Sequence, residues 1–171
     1  MSQQNNDDID IISDQWQQLG LKADYSALQI IARILRLNKT LEAELGKLHS
    51  KFKLNQGEFD VLAALKRSAK ADLTPSQLHQ AMLLSSGAMT SRLDRLETKQ
   101  LIVRQHCTKD RRSIKVSLTD AGKQVIDTVY PHHFQLTDQL LSGLTEAEKN
   151  QLQRLLKKTM LNIDCRLDTE S

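Results

Sequence analysis

Residues 83–119 read LLSSGAMTSRLDRLETKQLIVRQHCTKDRRSIKVSLT, and few folds accommodate that order. Met89, Leu93 and Leu96 recur at helical spacing, so they form one apolar stripe and turn Ser86, Thr90, Ser91 and Asp94 to other faces. Two β-prone runs follow, 101–103 and 114–118, with an arginine-bearing stretch at 109–113 able to turn between them. The segment therefore predicts a short polar helix leading into a hairpin. It carries eight cations (Arg92, Arg95, Lys99, Arg104, Lys109, Arg111, Arg112, Lys115) against three acids (Asp94, Glu97, Asp110), a local excess of five where the whole chain has a net charge of only +3. Such a patch attracts a polyanion.

The hairpin is preceded by two strong helix starts. Asn55 and Glu58 have capping-box spacing, and Thr74, Pro75 and Gln77 give a second box with proline at the first helical position, where its missing N–H costs nothing. Leu83 and Leu84 close the second of these helices, and Ser85 or Ser86 caps the next after a short turn. Two short helices so joined are a helix-turn-helix. Upstream, Ile9, Ile12, Trp16 and Leu19 predict an amphipathic helix ended by Gly20, and a proline-free stretch from about 26 to 53 keeps an apolar stripe through Ile31, Ile34, Leu41, Leu45, Leu48 and Phe52. Downstream, Thr119 caps a helix that Pro131 should kink or stop, and Thr145 with Glu148 opens a last one carrying Leu152, Leu155, Leu156 and Ile163.

A chain of 171 residues with 39% hydrophobic but only 4% aromatic residues fits about one domain built by helix-on-helix packing. The fold class expected is mainly α with a small β-hairpin, a winged helix-turn-helix flanked by N- and C-terminal dimerisation helices. Three parts are expected: 1–53 as an acidic leader with dimerisation and ligand helices, 54–119 as the winged domain, and 120–171 as C-terminal dimerisation helices. The terminal helices present more apolar faces than a small winged domain can bury, so a homodimer is expected to cover them.

No apolar run approaches the length of a membrane span, and the N-terminus lacks the order of a signal peptide, so a cytoplasmic protein without membrane association is expected. Cys107 and Cys165 form no CxxC pair, and His49, His79, His106, His132 and His133 show no zinc spacing. No cofactor or metal is expected. Neither a phosphate loop nor a nucleophile triad appears, which argues against an enzyme.

Small polar groups near a helix N-terminus can approach base edges, which assigns Ser85, Ser86, Thr90 and Ser91 to a major groove, with Arg95 and Lys99 on the backbone. At the hairpin tip Asp110, Arg111 and Arg112 stand together; Arg112 suits insertion into a minor groove, restrained by Asp110. The expected partner is double-stranded DNA.

These residues resemble the MarR family of winged-helix regulators. Asp110-x-Arg112, then Leu118-Thr119 five residues on, preceded by SSGAMTSRLDRLE, carries the resemblance, which with the flanking helices covers nearly the whole chain. It implies a dimer binding a palindromic operator, usually a repressor released by a small molecule. A finer similarity is to the PecS-like, urate-responsive branch, through Gln15-Trp16, Glu58-Phe59-Asp60-Val61-Leu62 and the run from Met89 to Glu97. That branch implies ligand residues Trp16, Asp60, Arg92 and Arg104, and an effector that is urate or a related purine or phenolic compound. One departure is Gly20-Leu21-Lys22-Ala23-Asp24, where the branch often has a proline and a Leu-Asp pair. An aromatic face for stacking at Trp16 and a guanidinium fork at Arg92 suit a planar anion, with Arg104 a candidate salt-bridge partner for Asp60. An alternative regulator of the same class would sense oxidants through Cys107, whose neighbouring cations favour a thiolate.

Overall fold

A computed structural model describes residues 6–20, 23–68, 70, 72–82, 86–106 and 114–169. In chain order they form α1 (Asp8–Gln18), α2 (Tyr25–Lys51), α3 (Gln56–Arg67), α4 (Pro75–Met82), α5 (Ser86–Thr98), β1 (Ile102–His106), β2 (Ile114–Leu118), α6 (Asp120–Leu140) and α7 (Glu146–Thr169). The chain divides into two compact units, Met1–Ile126 and Asp127–Ser171. This division differs from the boundaries expected at 53 and 119, because α2 packs on α3 and α1 on α2, which places the N-terminal helices in the same unit as the winged elements.

The helix starts follow from local chemistry. Asn55 accepts from the Glu58 amide at 2.9 Å while the Glu58 carboxylate accepts from the Asn55 amide at 2.9 Å, closing the box that opens α3. Thr74 and Gln77 exchange bonds of 3.2 and 2.9 Å ahead of α4, and Thr145 and Glu148 do the same ahead of α7. A further box, Asp7 with Asp10, opens α1. Pro131 does not stop α6, which runs on to Leu140: one missing amide donor removes a single rung, and the rest of a 21-residue ladder carries the helix through.

The core of the first unit lies between α3, α4, α5 and the hairpin. Val61, Leu62, Leu78, Leu96 and Val116 are fully buried, and Met89 and Leu93 almost so. The hairpin is antiparallel, pairing Ile102 with Leu118 and His106 with Ile114. Leu73 adds a third, one-residue rung by exchanging both backbone bonds with Val116, at 2.9 and 2.8 Å. The wing is thus fastened to the segment that leads into α4.

Among the described residues two turns use left-handed backbone at residues other than glycine. Gln100 (φ 58°) ends α5, with the Leu101 amide donating to the Leu96 carbonyl and the Gln100 amide to the Glu97 carbonyl. Lys53 (φ 56°) ends α2 in the same way, through Leu54 to His49 and Lys53 to Ser50. Gly122, by contrast, is there for space: a β-carbon on it would sit 1.9 Å from the Leu101 carbonyl oxygen. That close approach brings the start of α6 against the α5–β1 junction, where Thr119 donates to the Gln100 carbonyl at 2.7 Å.

On the other side of the first unit, α1 is held to α2 by charge. Arg33 forks onto Asp7 at 2.9 and 3.0 Å and reaches Asp10 at 2.6 Å, while Gln29 donates to the buried Ser13 hydroxyl at 2.8 Å. Among the described residues no helix is long and apolar enough to cross a membrane.

Candidate nucleic-acid interface

Helix α5 divides its residues among four directions. Met89, Leu93 and Leu96 enter the core, as the spacing predicts. Thr90 and Ser91 are exposed. Ser91 accepts a 2.7 Å bond from Arg95 Nη1 one turn on, which aligns that guanidinium with the polar face. Ser85 and the tip residues Asp110, Arg111 and Arg112 lie outside the described residues, as does Cys107, and Ser86 is described only as the first residue of α5. The strands that carry the tip leave β1 and β2 side by side at His106 and Ile114.

The third direction is a stripe of cations, Arg92, Arg95 and Lys99, seated on the first turn of α3. Lys99, expected on a DNA backbone, instead donates at 2.7 Å to Glu58 Oε2 and at 2.7 Å to the carbonyl of Lys53. The physical reason is that Glu58 is 1% exposed, and a buried carboxylate requires a cation and hydrogen bonds. Arg95 Nε stands 3.5 Å from Glu58 Oε1, an ion pair too long for a good hydrogen bond. Arg92 lies over Gly57, whose absent side chain leaves room for the guanidinium, and its Nη1 is buried without a hydrogen-bond partner among the described residues.

The fourth direction faces the wing. Arg104, on β1, pairs with Asp94 and, at 3.1 Å, with Glu97. This corrects the expected pairing with Asp60, since α5 supplies two carboxylates on the face that packs against β1. Asp60 accepts from Gln56 Nε2 at 3.0 Å and borders a groove with Arg67, Ala81 and Met82. Trp16 stands 44% exposed on α1, which packs on α2, and its backbone carbonyl accepts from the Tyr25 hydroxyl at 3.2 Å. Of the four ligand candidates, Arg92 and Asp60 both associate with the first turns of α3, whereas Arg104 is committed to α5 and Trp16 belongs to the α1–α2 pair.

Sequence reasoning missed Glu58 as more than a cap. The spacing of Arg92, Arg95 and Lys99 puts three cations on one helical stripe beside the core positions, the pattern that could have pointed to an anion on the facing helix.

Comparison with known proteins gives a consistent picture. The MarR family profile matches residues 54–114. The HTH-type transcriptional regulator PecS of Dickeya dadantii (strain 3937) is 35% identical over 150 residues, covering 87% of this chain and 90% of that protein. The HTH-type transcriptional repressor MdtR of Bacillus subtilis (strain 168) is 33% identical over 136 residues, covering 80% and 86%. Among solved structures, a cysteine-to-serine mutant of MarR from E. coli complexed with operator DNA superposes with a TM-score of 0.70 at 26% identity, covering 80% of this chain and 99% of that one.

Proposed function

The chain belongs to the MarR family of transcriptional regulators, and on that premise we propose that it is a homodimeric repressor that binds a palindromic operator and leaves it on binding a small planar anion. The observation that carries the DNA role is the continuity of α4, α5 and the β1–β2 wing, with Thr90, Ser91 and Arg95 on the exposed face of α5. Two such helices in a dimer would enter successive major grooves about one turn of DNA apart, with Ser85 and Ser86 near the bases and each wing's Asp110, Arg111 and Arg112 at the adjacent minor groove. Lys99, also proposed for the DNA backbone, spends two of its ammonium's donors within the fold and keeps a side chain 36% exposed.

Dimerisation is supported by apolar surface that a single chain leaves uncovered. Trp16, Ile30 and Leu35 on α1 and α2, and Leu155 and Met160 on α7, are between 44 and 66% exposed. Exposed apolar faces on helices of this length mark an association surface.

The effector reading rests on Arg92. Its buried Nη1, without a hydrogen-bond partner among the described residues, is a donor for an anion, and Asp60, about one turn along α3 from Gly57, would be reoriented by the incoming charge. Urate is the favoured probe, with other purines and phenolic anions as alternatives. Because α5 carries both Arg92 and the DNA-facing residues, an anion drawn to Arg92 acts on the reading helix itself. A small rigid-body change would misregister both half-sites at once.

A thermal-shift titration with urate, xanthine and salicylate on wild type and Arg92→Ala tests the effector reading. Stabilisation of the wild type by urate that is absent in the variant is the expected result. No shift at saturating urate removes urate from the reading, and an equal shift in both proteins removes Arg92.

A further inference from the structure

Beneath the DNA-facing surface of α5 lies one carboxylate to which neither a ligand nor a DNA role has been given. Glu58 is 1% exposed, and its two oxygens are used unequally. Oε2 accepts from the Asn55 amide at 2.9 Å and from Lys99 at 2.7 Å. Oε1 is buried without a hydrogen bond among the described residues, and the cation facing it is Arg95, with Nε 3.5 Å away. Arg95 in turn donates through Nη1 to Ser91 and is 47% exposed, so its guanidinium spans the interval between the buried anion and the outer face of α5.

We infer that Glu58 is a positioning residue for DNA reading, which fixes the aim of Arg95 and thereby sets how well the protein distinguishes its operator from other DNA. The inference rests on the DNA-binding role proposed for α5. An arginine free to turn on a helix surface meets a phosphate on any duplex, and such contacts raise affinity without regard to sequence. Held between Ser91 Oγ and Glu58 Oε1, the same guanidinium keeps one orientation and contributes only where the groove presents a partner in that direction. Lys99 pairs with the other oxygen at 2.7 Å and completes the seat, leaving Oε1 to face Arg95. Glu58 acts through Arg95 and touches no DNA itself.

The test is a double-mutant cycle with the full-length chain, using Glu58→Gln and Arg95→Gln singly and together. Affinity is measured for an operator duplex selected from a random library and for a scrambled duplex, across a salt series. Failure of the wild type to enrich any duplex would sink the DNA-binding role itself, before the variants are compared. Glu58→Gln keeps the bond to the Asn55 amide, removes the charge, and is expected to lower the operator-to-scrambled ratio about five- to tenfold, with a steeper salt dependence on scrambled DNA. In the Arg95→Gln background the same change is expected to leave the ratio where Arg95→Gln alone put it. An unchanged ratio in Glu58→Gln overturns the inference, and so does an equal loss in both backgrounds, since a purely structural carboxylate has no reason to depend on Arg95. Should Glu58→Gln fail to fold, Glu58→Asp retains the charge facing Lys99, withdraws the carboxylate by one methylene, and is read in the same cycle with the same two outcomes.

Discussion

The guanidinium of Arg92 occupies the space that a side chain on Gly57 would fill: a β-carbon there would lie 2.2 Å from Nε and 2.5 Å from Cζ. One glycine in the first turn of α3 therefore determines where a cation of α5 rests. Gly57→Ala should move the guanidinium outward, because the obstructed group is the end of a flexible side chain. The gain in helix propensity, about 0.5–1 kcal/mol, offsets part of the displacement. The expected outcome is a melting temperature within a few degrees of wild type with urate stabilisation reduced or lost, read by thermal shift with and without urate. Undiminished stabilisation would show that the seat of Arg92 does not matter to the effector.

Arg104 couples the wing to the reading helix through Asp94 and Glu97, and is itself 21% exposed. Its removal leaves two carboxylates together on α5 and frees β1 from that helix. We expect Arg104→Ala to cost about 1–3 kcal/mol in urea unfolding. Asp94→Asn, at a side chain 59% exposed and with Glu97 still in place, should cost about 0–1 kcal/mol. Equal costs for the two would mean that Asp94 alone carries the pairing and Glu97 does not compensate for it.

How much of this was legible in the sequence depends on the kind of interaction. Capping boxes at Asn55–Glu58, Thr74–Gln77 and Thr145–Glu148 are local, so the starts of α3, α4 and α7 can be read from spacing alone. The core stripe of Met89, Leu93 and Leu96 is equally legible, since periodicity decides it. Partner choice is not. Opposite charge makes Arg104 a candidate partner for Asp60, whereas the register of β1 beside α5 gives it Asp94 and Glu97; charge alone points Lys99 at DNA, whereas Glu58, 41 residues away, takes one of its hydrogen bonds. The continuation of α6 past Pro131 and the left-handed turns at Lys53 and Gln100 also depend on what the flanking ladder and neighbouring helices tolerate.

Gly122 lies against the Leu101 carbonyl with no room for a β-carbon, and the obstruction is backbone rather than a movable side chain. Gly122→Ala should separate α6 from the α5–β1 junction and weaken the Thr119 bond to Gln100. A loss of about 1–3 kcal/mol or more is expected, measured as the shift in urea midpoint. Wild-type stability in this variant would mean that the start of α6 is free to move.

The docking of α1 should depend on charge. The Arg33 side chain hydrogen-bonded to Asp7 holds that carboxyl below its ordinary value of 3.8, and the backbone amides of Asp10 and Ile9 add to the effect. A lowered folded value contributes stability that is present above the ordinary pKa and lost as pH falls through the folded one. Emission from Trp16, the single tryptophan, should therefore be flat from pH 7 to 5 and change only below about pH 4. Asp7→Asn should weaken docking at neutral pH. A transition centred between pH 5 and 7 would point to another group.

The most direct test of the regulatory account is a fluorescence-anisotropy titration of a duplex selected from a random library, with a scrambled duplex as competitor and urate added at saturation. The account predicts two chains per operator, binding to scrambled DNA weaker by about a thousandfold or more, and release of the operator by urate in the wild type but not in Arg92→Ala. Equal affinity for the two duplexes, or failure of the library to enrich any sequence, would contradict it.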